Sequence, residues 1–126
     1  MSKKILICDD EPYIRMLLEQ TLEDLEDEGV ELLIASNGQE GYDLILAEKP
    51  QLVFLDVMMP KMSGFEVCEK VKSNDELSHT HIVLLTAKGQ EADKEKGFAL
   101  GANEYITKPF DPDNLYDYAS EFLGID

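Results

Sequence analysis

Cations are scarce in this chain: 11 Lys and Arg stand against 27 Asp and Glu, a formal net charge of −16. Such a surface repels phosphate backbones, which argues against direct nucleic-acid binding and favours basic partner surfaces or divalent cations. Long apolar runs are missing too. Behind the basic start Met1-Ser2-Lys3-Lys4, the stretch Ile5-Leu6-Ile7-Cys8 stops at two acids. It is too short for a signal peptide, and nothing approaches a transmembrane helix, so a cytoplasmic protein without membrane insertion is expected. Cysteine is rare. Cys8 lies in an apolar run and Cys68 on an apolar helix face, and both read as small buried hydrophobes rather than as a disulfide or a reactive thiol. The two histidines, His79 and His81, precede a strand at the sheet edge opposite the acids and read as loop residues. Without a His–Cys cluster, a zinc site is not supported. Without a Gly-rich phosphate loop, nucleotide binding is not indicated, because "TAKGQEADKEKG" lacks the required order.

What is present is an alternation of two apolar periods. A length of 126 residues fits one domain over 1–126, and 44% apolar residues suffice for its core. Strand-like runs fall at Lys4–Cys8, Val30–Ala35, Leu52–Leu55, Ile82–Leu85 and Glu104–Thr107. Helical spacing follows each. Ile14, Leu17, Leu18, Leu22 and Leu25 form one face of the first helix, with Pro12 in its first turn and Glu19, Glu23, Asp24 and Asp27 opposite. Asn37 with Glu40, and Ser63 with Glu66, are capping-box patterns that open the second and third helices. A fourth helix is expected from about Gln90 to Leu100. A fifth starts at Asp111-Pro112 with Leu115, Tyr118, Ala119, Phe122 and Leu123 inward. There is no repeat or linker. Continuous apolar strands joined by helices imply an α/β fold: a doubly wound parallel sheet covered on both faces.

In such sheets the functional site lies at the carboxyl ends of the strands. Here strand one ends in Asp9-Asp10 followed by Glu11, strand three in Asp56, strand four in Thr86, and strand five leads into Lys108-Pro109. Singly, these are ordinary turn, cap and surface residues. Together the strand ends put three carboxylates (Asp9, Asp10 and Asp56), a hydroxyl and an ammonium on one edge. Crowded carboxylates raise one another's pKa, and a hard divalent cation removes the conflict. Asp9, Asp10 and Asp56 supply the oxygen ligands that Mg²⁺ prefers, with Mn²⁺ as a substitute. Lys108 and Thr86 suit a phosphoryl group. With no nucleotide loop to hold a phosphate ester, Asp56 itself is the candidate acceptor, since carboxylates do form aspartyl phosphates.

The motifs "ILICDDE", "LVFLDVMMPKMSGFE", "IVLLTAK" and "GANEYITKPF" resemble the receiver domain of bacterial two-component response regulators, including stand-alone chemotaxis-type members. The resemblance runs from Lys4 to about Leu123. It implies a flavodoxin-like (βα)5 sheet of order 2-1-3-4-5. It implies that Asp56 takes a phosphoryl group from a phosphohistidine on a sensor histidine kinase or phosphotransfer protein, and that the domain is a switch rather than a turnover enzyme. Asp9 and Asp10 would hold Mg²⁺, Asp10 more directly, with the backbone carbonyl of Met58 as a further ligand. Lys108 would contact the phosphoryl group, with a cis Lys108–Pro109 peptide. Thr86 would turn towards that group and Tyr105 into the space it leaves, altering an output face of helix four, strand five and helix five that meets a downstream protein. Met58 and Lys88 occupy the positions that tune phosphoryl lifetime, and slow self-dephosphorylation is expected. The rival readings are a haloacid-dehalogenase-type phosphatase, disfavoured because Met58 replaces its second Asp, a flavodoxin, which lacks its phosphate loop here, and a vestigial, phosphorylation-independent interaction module.

Overall fold

In the computed structural model, which describes residues 3–87 and 90–125, strands and helices alternate from end to end. They are β1 (Lys3–Cys8), α1 (Pro12–Glu26), β2 (Val30–Ala35), α2 (Gly38–Glu48), β3 (Leu52–Asp56), α3 (Gly64–Lys72), β4 (His81–Ala87), α4 (Glu91–Ala99), β5 (Glu104–Lys108) and α5 (Pro112–Leu123). All strand pairs are parallel and the order is β2-β1-β3-β4-β5. The flavodoxin-like arrangement expected from the sequence is therefore the observed one.

The period of two along each strand splits the core into two layers. Ile5, Ile7, Phe54, Val83 and Leu85 pack under Leu18, Leu22, Leu25, Leu115 and Ala119 of α1 and α5. Leu6, Cys8, Val53, Leu55 and Leu84 pack with Ile45, Val67, Cys68 and Val71 of α2 and α3. β3 lies centrally and every one of its residues is buried, including its terminal Asp56. Truncating Phe54 to Ala there would cost about 3–5 kcal/mol. Both cysteines are buried and free.

The helix starts follow the local chemistry. Pro12 sits in the first turn of α1, where its missing N–H costs nothing. Ser63 and Glu66 form a complete capping box at α3. Asp111 accepts from the N–H groups of Asp113 and Asn114 at α5. At α2, Asn37 accepts from the N–H of Glu40, but the Glu40 carboxylate reaches the N–H of Ser36 instead of that of Asn37, so that box is only half formed.

Other boundaries and faces differ from the sequence reading. His81 is not a loop residue: it opens β4 and pairs in register with Leu52. It is half-buried because α5 covers it. The Tyr118 hydroxyl lies 2.5 Å from its Nε2, and its ring centroid is 4.2 Å from that of Phe122. Phe122 is 41% exposed rather than inward, because Leu123 takes the buried slot and Phe122 lies over the rim. α4 is one residue shorter at each end, with Gln90 and Leu100 as its caps.

Candidate functional site

Asp56 is fixed from below by β3 and from the side by two close backbone approaches. A Cβ on Gly64 would lie 2.2 Å from the Asp56 carbonyl oxygen, and the Gly64 N–H donates to the Val57 carbonyl at 2.9 Å. The start of α3 thus rests directly on the end of β3. A Cβ on Gly38 would lie 1.7 Å from the Met62 carbonyl oxygen, so the start of α2 presses on the same loop, residues 57–63. Only residues without a side chain permit these contacts.

The acids converge as the strand-end rule requires. One carboxylate oxygen from each of Asp9, Asp10, Glu11 and Asp56 lies within 4.8 Å of the others. Asp9 is fully buried, and its Oδ1 accepts from the Glu11 N–H at 2.9 Å. Lys108 reaches in from the end of β5. Its Nζ lies 3.1 Å from Asp56 Oδ1, 3.2 Å from Glu11 Oε1 and 3.4 Å from Asp9 Oδ2. Burial pushes Asp56 up to about 7, the Asp9 charge adds to this, and Lys108 opposes it. Burial also raises Asp9, against the Glu11 N–H and Lys108. Burial alone would lower Lys108, but Asp56 and Asp9 outweigh it and raise it. One ammonium among four carboxylates leaves an excess of negative charge. An all-oxygen set of this kind fits a hard divalent cation.

Asp10, Glu11, Asp56 and Lys108 line a cavity of about 700 Å³, which Thr86, Val57, Met58 and Pro109 also line, while Asp9 lies buried beneath them. Thr86 is buried and its Oγ1 has no hydrogen-bond partner. The Met58 side chain is 76% exposed. The Lys108–Pro109 peptide is cis. Tyr105 is not brought into this cavity. It is half-buried and lines a separate groove between β5 and α5. Lys88 lies outside the described residues.

Four contributors lie beyond the strand ends themselves. Glu11 takes the cap position of α1 without capping it and pairs with Lys108 instead. Its place after Asp9-Asp10 is the one signal that points to it. Arg15 donates to the Asp9 carbonyl at 2.7 Å and fixes the β1–α1 turn. Gln90 and Asp93 form a wall of the cavity from the start of α4, where no periodicity marks them.

This fold, with acids at the ends of β1 and β3 and a lysine at the end of β5, defines a class of flavodoxin-like α/β domains with an acidic site at the carboxyl edge of the sheet. The family model described as response regulator receiver domain matches residues 5–120. The chain belongs to that family: it is a receiver domain of a two-component response regulator, a signalling domain rather than a classical turnover enzyme. It is 45% identical over 112 residues to the transcriptional regulatory protein SrrA of Staphylococcus aureus, covering 89% of this chain. The chain spans only 44% of the length of that relative. Among solved structures it resembles the receiver domain of a DNA-binding response regulator from Colwellia psychrerythraea, with 28% identity, a TM-score of 0.89 and coverage of 98% and 99% of the two chains. It likewise resembles the chemotaxis response regulator CheY4 of Vibrio cholerae, with 30% identity, a TM-score of 0.83 and coverage of 96% and 98%. Receiver domains generally bind Mg²⁺, and the acidic cluster here could hold one. Among the described residues, no helix is long and apolar enough to cross a membrane.

Proposed function

We propose that this domain is a phosphoryl-accepting switch of the cytoplasm in which Asp56 is the acceptor. The observation that carries the reading is the buried Asp56 carboxylate held 3.1 Å from Lys108 Nζ, in a cavity it shares with Asp10, Glu11 and Thr86, whose hydroxyl is unpartnered. A phosphohistidine of a sensor histidine kinase or phosphotransfer protein is the donor. An Asp56 carboxylate oxygen forms the new P–O bond, the P–N bond breaks, and the imidazole nitrogen keeps the electron pair.

Asp9, Asp10, Asp56 and the Met58 carbonyl would hold Mg²⁺, or Mn²⁺ in its place. When bound, the ion supplies positive charge for the oxygens of the transferring group. Lys108 contributes a fixed charge on the other side, and Arg15 and the Glu11 N–H keep Asp9 in place. Thr86 donates its free hydroxyl to the phosphoryl group. Tyr105 follows it inward and alters the face formed by α4, β5 and α5, where a downstream protein binds. Self-dephosphorylation is slow, because the Met58 thioether offers no donor to orient an attacking water. Met58→Asn is expected to shorten the phosphoryl lifetime, as measured by the decay of the adduct.

Intact mass after incubation with acetyl phosphate and Mg²⁺ tests the acceptor assignment. One added phosphoryl group is expected, absent in Asp56→Asn and in the presence of EDTA. Undiminished labelling of Asp56→Asn would move the acceptor elsewhere. No adduct together with no binding of Mg²⁺ or beryllofluoride would favour the phosphorylation-independent interaction module.

A further inference from the structure

α4 is held unlike the other helices. Of its residues with described side chains, Gly97 alone is buried, lying over Leu84, and Phe98 is 41% exposed. No apolar stripe anchors it. Two cation–aromatic contacts do so instead, one on each flank. Lys94 Nζ lies 5.3 Å from the ring centroid of Tyr105 on β5, and Lys96 Nζ lies 4.5 Å from that of Phe65 on α3. The second point of attachment for Tyr105 is weak: its hydroxyl accepts from Thr107 Oγ1 at 3.4 Å.

The geometry points to Lys94 as a positioning residue that holds Tyr105 outward and ties its movement to the seating of α4. This rests on the reading of Tyr105 as the moving part of the switch. A ring that turns inward, towards Thr86, leaves the Lys94 ammonium behind and exchanges a cation–π contact for burial. Loss of that contact frees the flank of α4 nearest β5, while the Lys96–Phe65 contact keeps the other flank on α3. Lys94 therefore biases the domain towards its unphosphorylated form and makes α4 report the position of Tyr105. A charge on an exposed aromatic face biases the outward-to-inward ratio by about two- to five-fold.

The test uses the whole chain labelled with 3-fluorotyrosine, with the Tyr105 signal among the five tyrosines assigned by Tyr105→Phe. Lys94→Met keeps the reach of the side chain and removes its charge. Lys94→Arg keeps the charge. Without ligand, Lys94→Met is expected to move the Tyr105 fluorine signal towards its Mg²⁺–beryllofluoride position and to tighten beryllofluoride binding about two- to five-fold, whereas Lys94→Arg leaves both as in the parent. A Tyr105 signal unchanged by Lys94→Met overturns the inference. So does an equal shift in Lys94→Met and Lys94→Arg, which would show that bulk rather than charge matters. Failure of the underlying reading looks different: beryllofluoride then leaves the Tyr105 signal of the parent chain in place, whatever Lys94 does.

Discussion

The two edges of the sheet bury polar groups in opposite ways. At the amino-terminal edge, Lys72 Nζ donates to the carbonyls of Ser78 and Thr80 and to Asn103 Oδ1, at 3.2, 2.5 and 2.8 Å. Asn103 Oδ1 also accepts from the Ile82 N–H, and His81 pairs with Tyr118. Lys72 and His81 there meet neutral oxygens and rings, and Lys4 pairs one to one with Glu48 at 2.7 Å. At the carboxyl-terminal edge, four carboxylates crowd one lysine. The first edge closes the fold, and the second keeps an unresolved electrostatic conflict that a cation or a phosphoryl group can relieve. An orphan hydroxyl does not by itself distinguish them, since Thr80 Oγ1 is as unpartnered as Thr86 Oγ1. Thr86 differs in opening on a charged cavity.

The sharpest way to break this contrast is to remove the central charge. The folded pKa of Asp56 is raised to about 7, above its unfolded value near 4. As pH rises between these values the unfolded chain gives up its proton first, so stability falls across that window and stays low above it. Asp56→Asn is therefore expected to be more stable than the parent at about pH 8 without metal, by roughly 1–4 kcal/mol. The gap should shrink towards about pH 5, and Mg²⁺ should stabilise only the parent. Urea unfolding checks all three. A destabilised Asp56→Asn at high pH would mean that the Lys108 pairing outweighs the crowding.

The next effect tests the scaffold rather than the charge. Gly64→Ala puts a methyl group against the Asp56 carbonyl, where backbone must move. A loss of about 1–3 kcal/mol is expected, together with slower labelling by acetyl phosphate. Gly97→Ala is the comparison, because its methyl group would clash with the tip of the Leu84 side chain and with no backbone atom. Equal labelling rates in the two variants would show that the seating of α3 does not position Asp56.

How far the sequence discloses each edge follows from the same physics. Strand periodicity and the strand-end rule are local signals, and they bring Asp9, Asp10, Asp56, Thr86 and Lys108 to one edge without any knowledge of angles. Glu11 is marked only by its place after Asp9-Asp10, and Gln90 and Asp93 join through the seating of the start of α4, which leaves no period to read. The roles of Gly38 and Gly64 are pairwise backbone contacts, invisible until both partners are placed. At the other edge, His81 looks like a loop residue because its strand begins with it and its lid comes from Tyr118 and Phe122, far along the chain.

That lid supplies the smallest prediction and the most discriminating one, because its pH dependence has the opposite sign to that of Asp56. Burial lowers the pKa of His81, and Lys72 adds to this while Glu104 opposes it. As pH falls through about 6.5 the unfolded chain takes up its proton first, so His81 withdraws stability on the acid side, where Asp56 restores it. Tyr118→Phe, which leaves the His81 ring without its hydroxyl partner, should cost about 0.5–1.5 kcal/mol at about pH 7.5. His81→Gln should be less stable than the parent at that pH, with the gap narrowing at about pH 5.5, since only the parent then has an imidazole to protonate. Paired urea titrations at the two pH values read this directly. A gap that widens in acid would mean that the folded protein prefers the protonated ring, with Glu104 outweighing burial and Lys72, and His81 would then form an ion pair rather than a neutral contact.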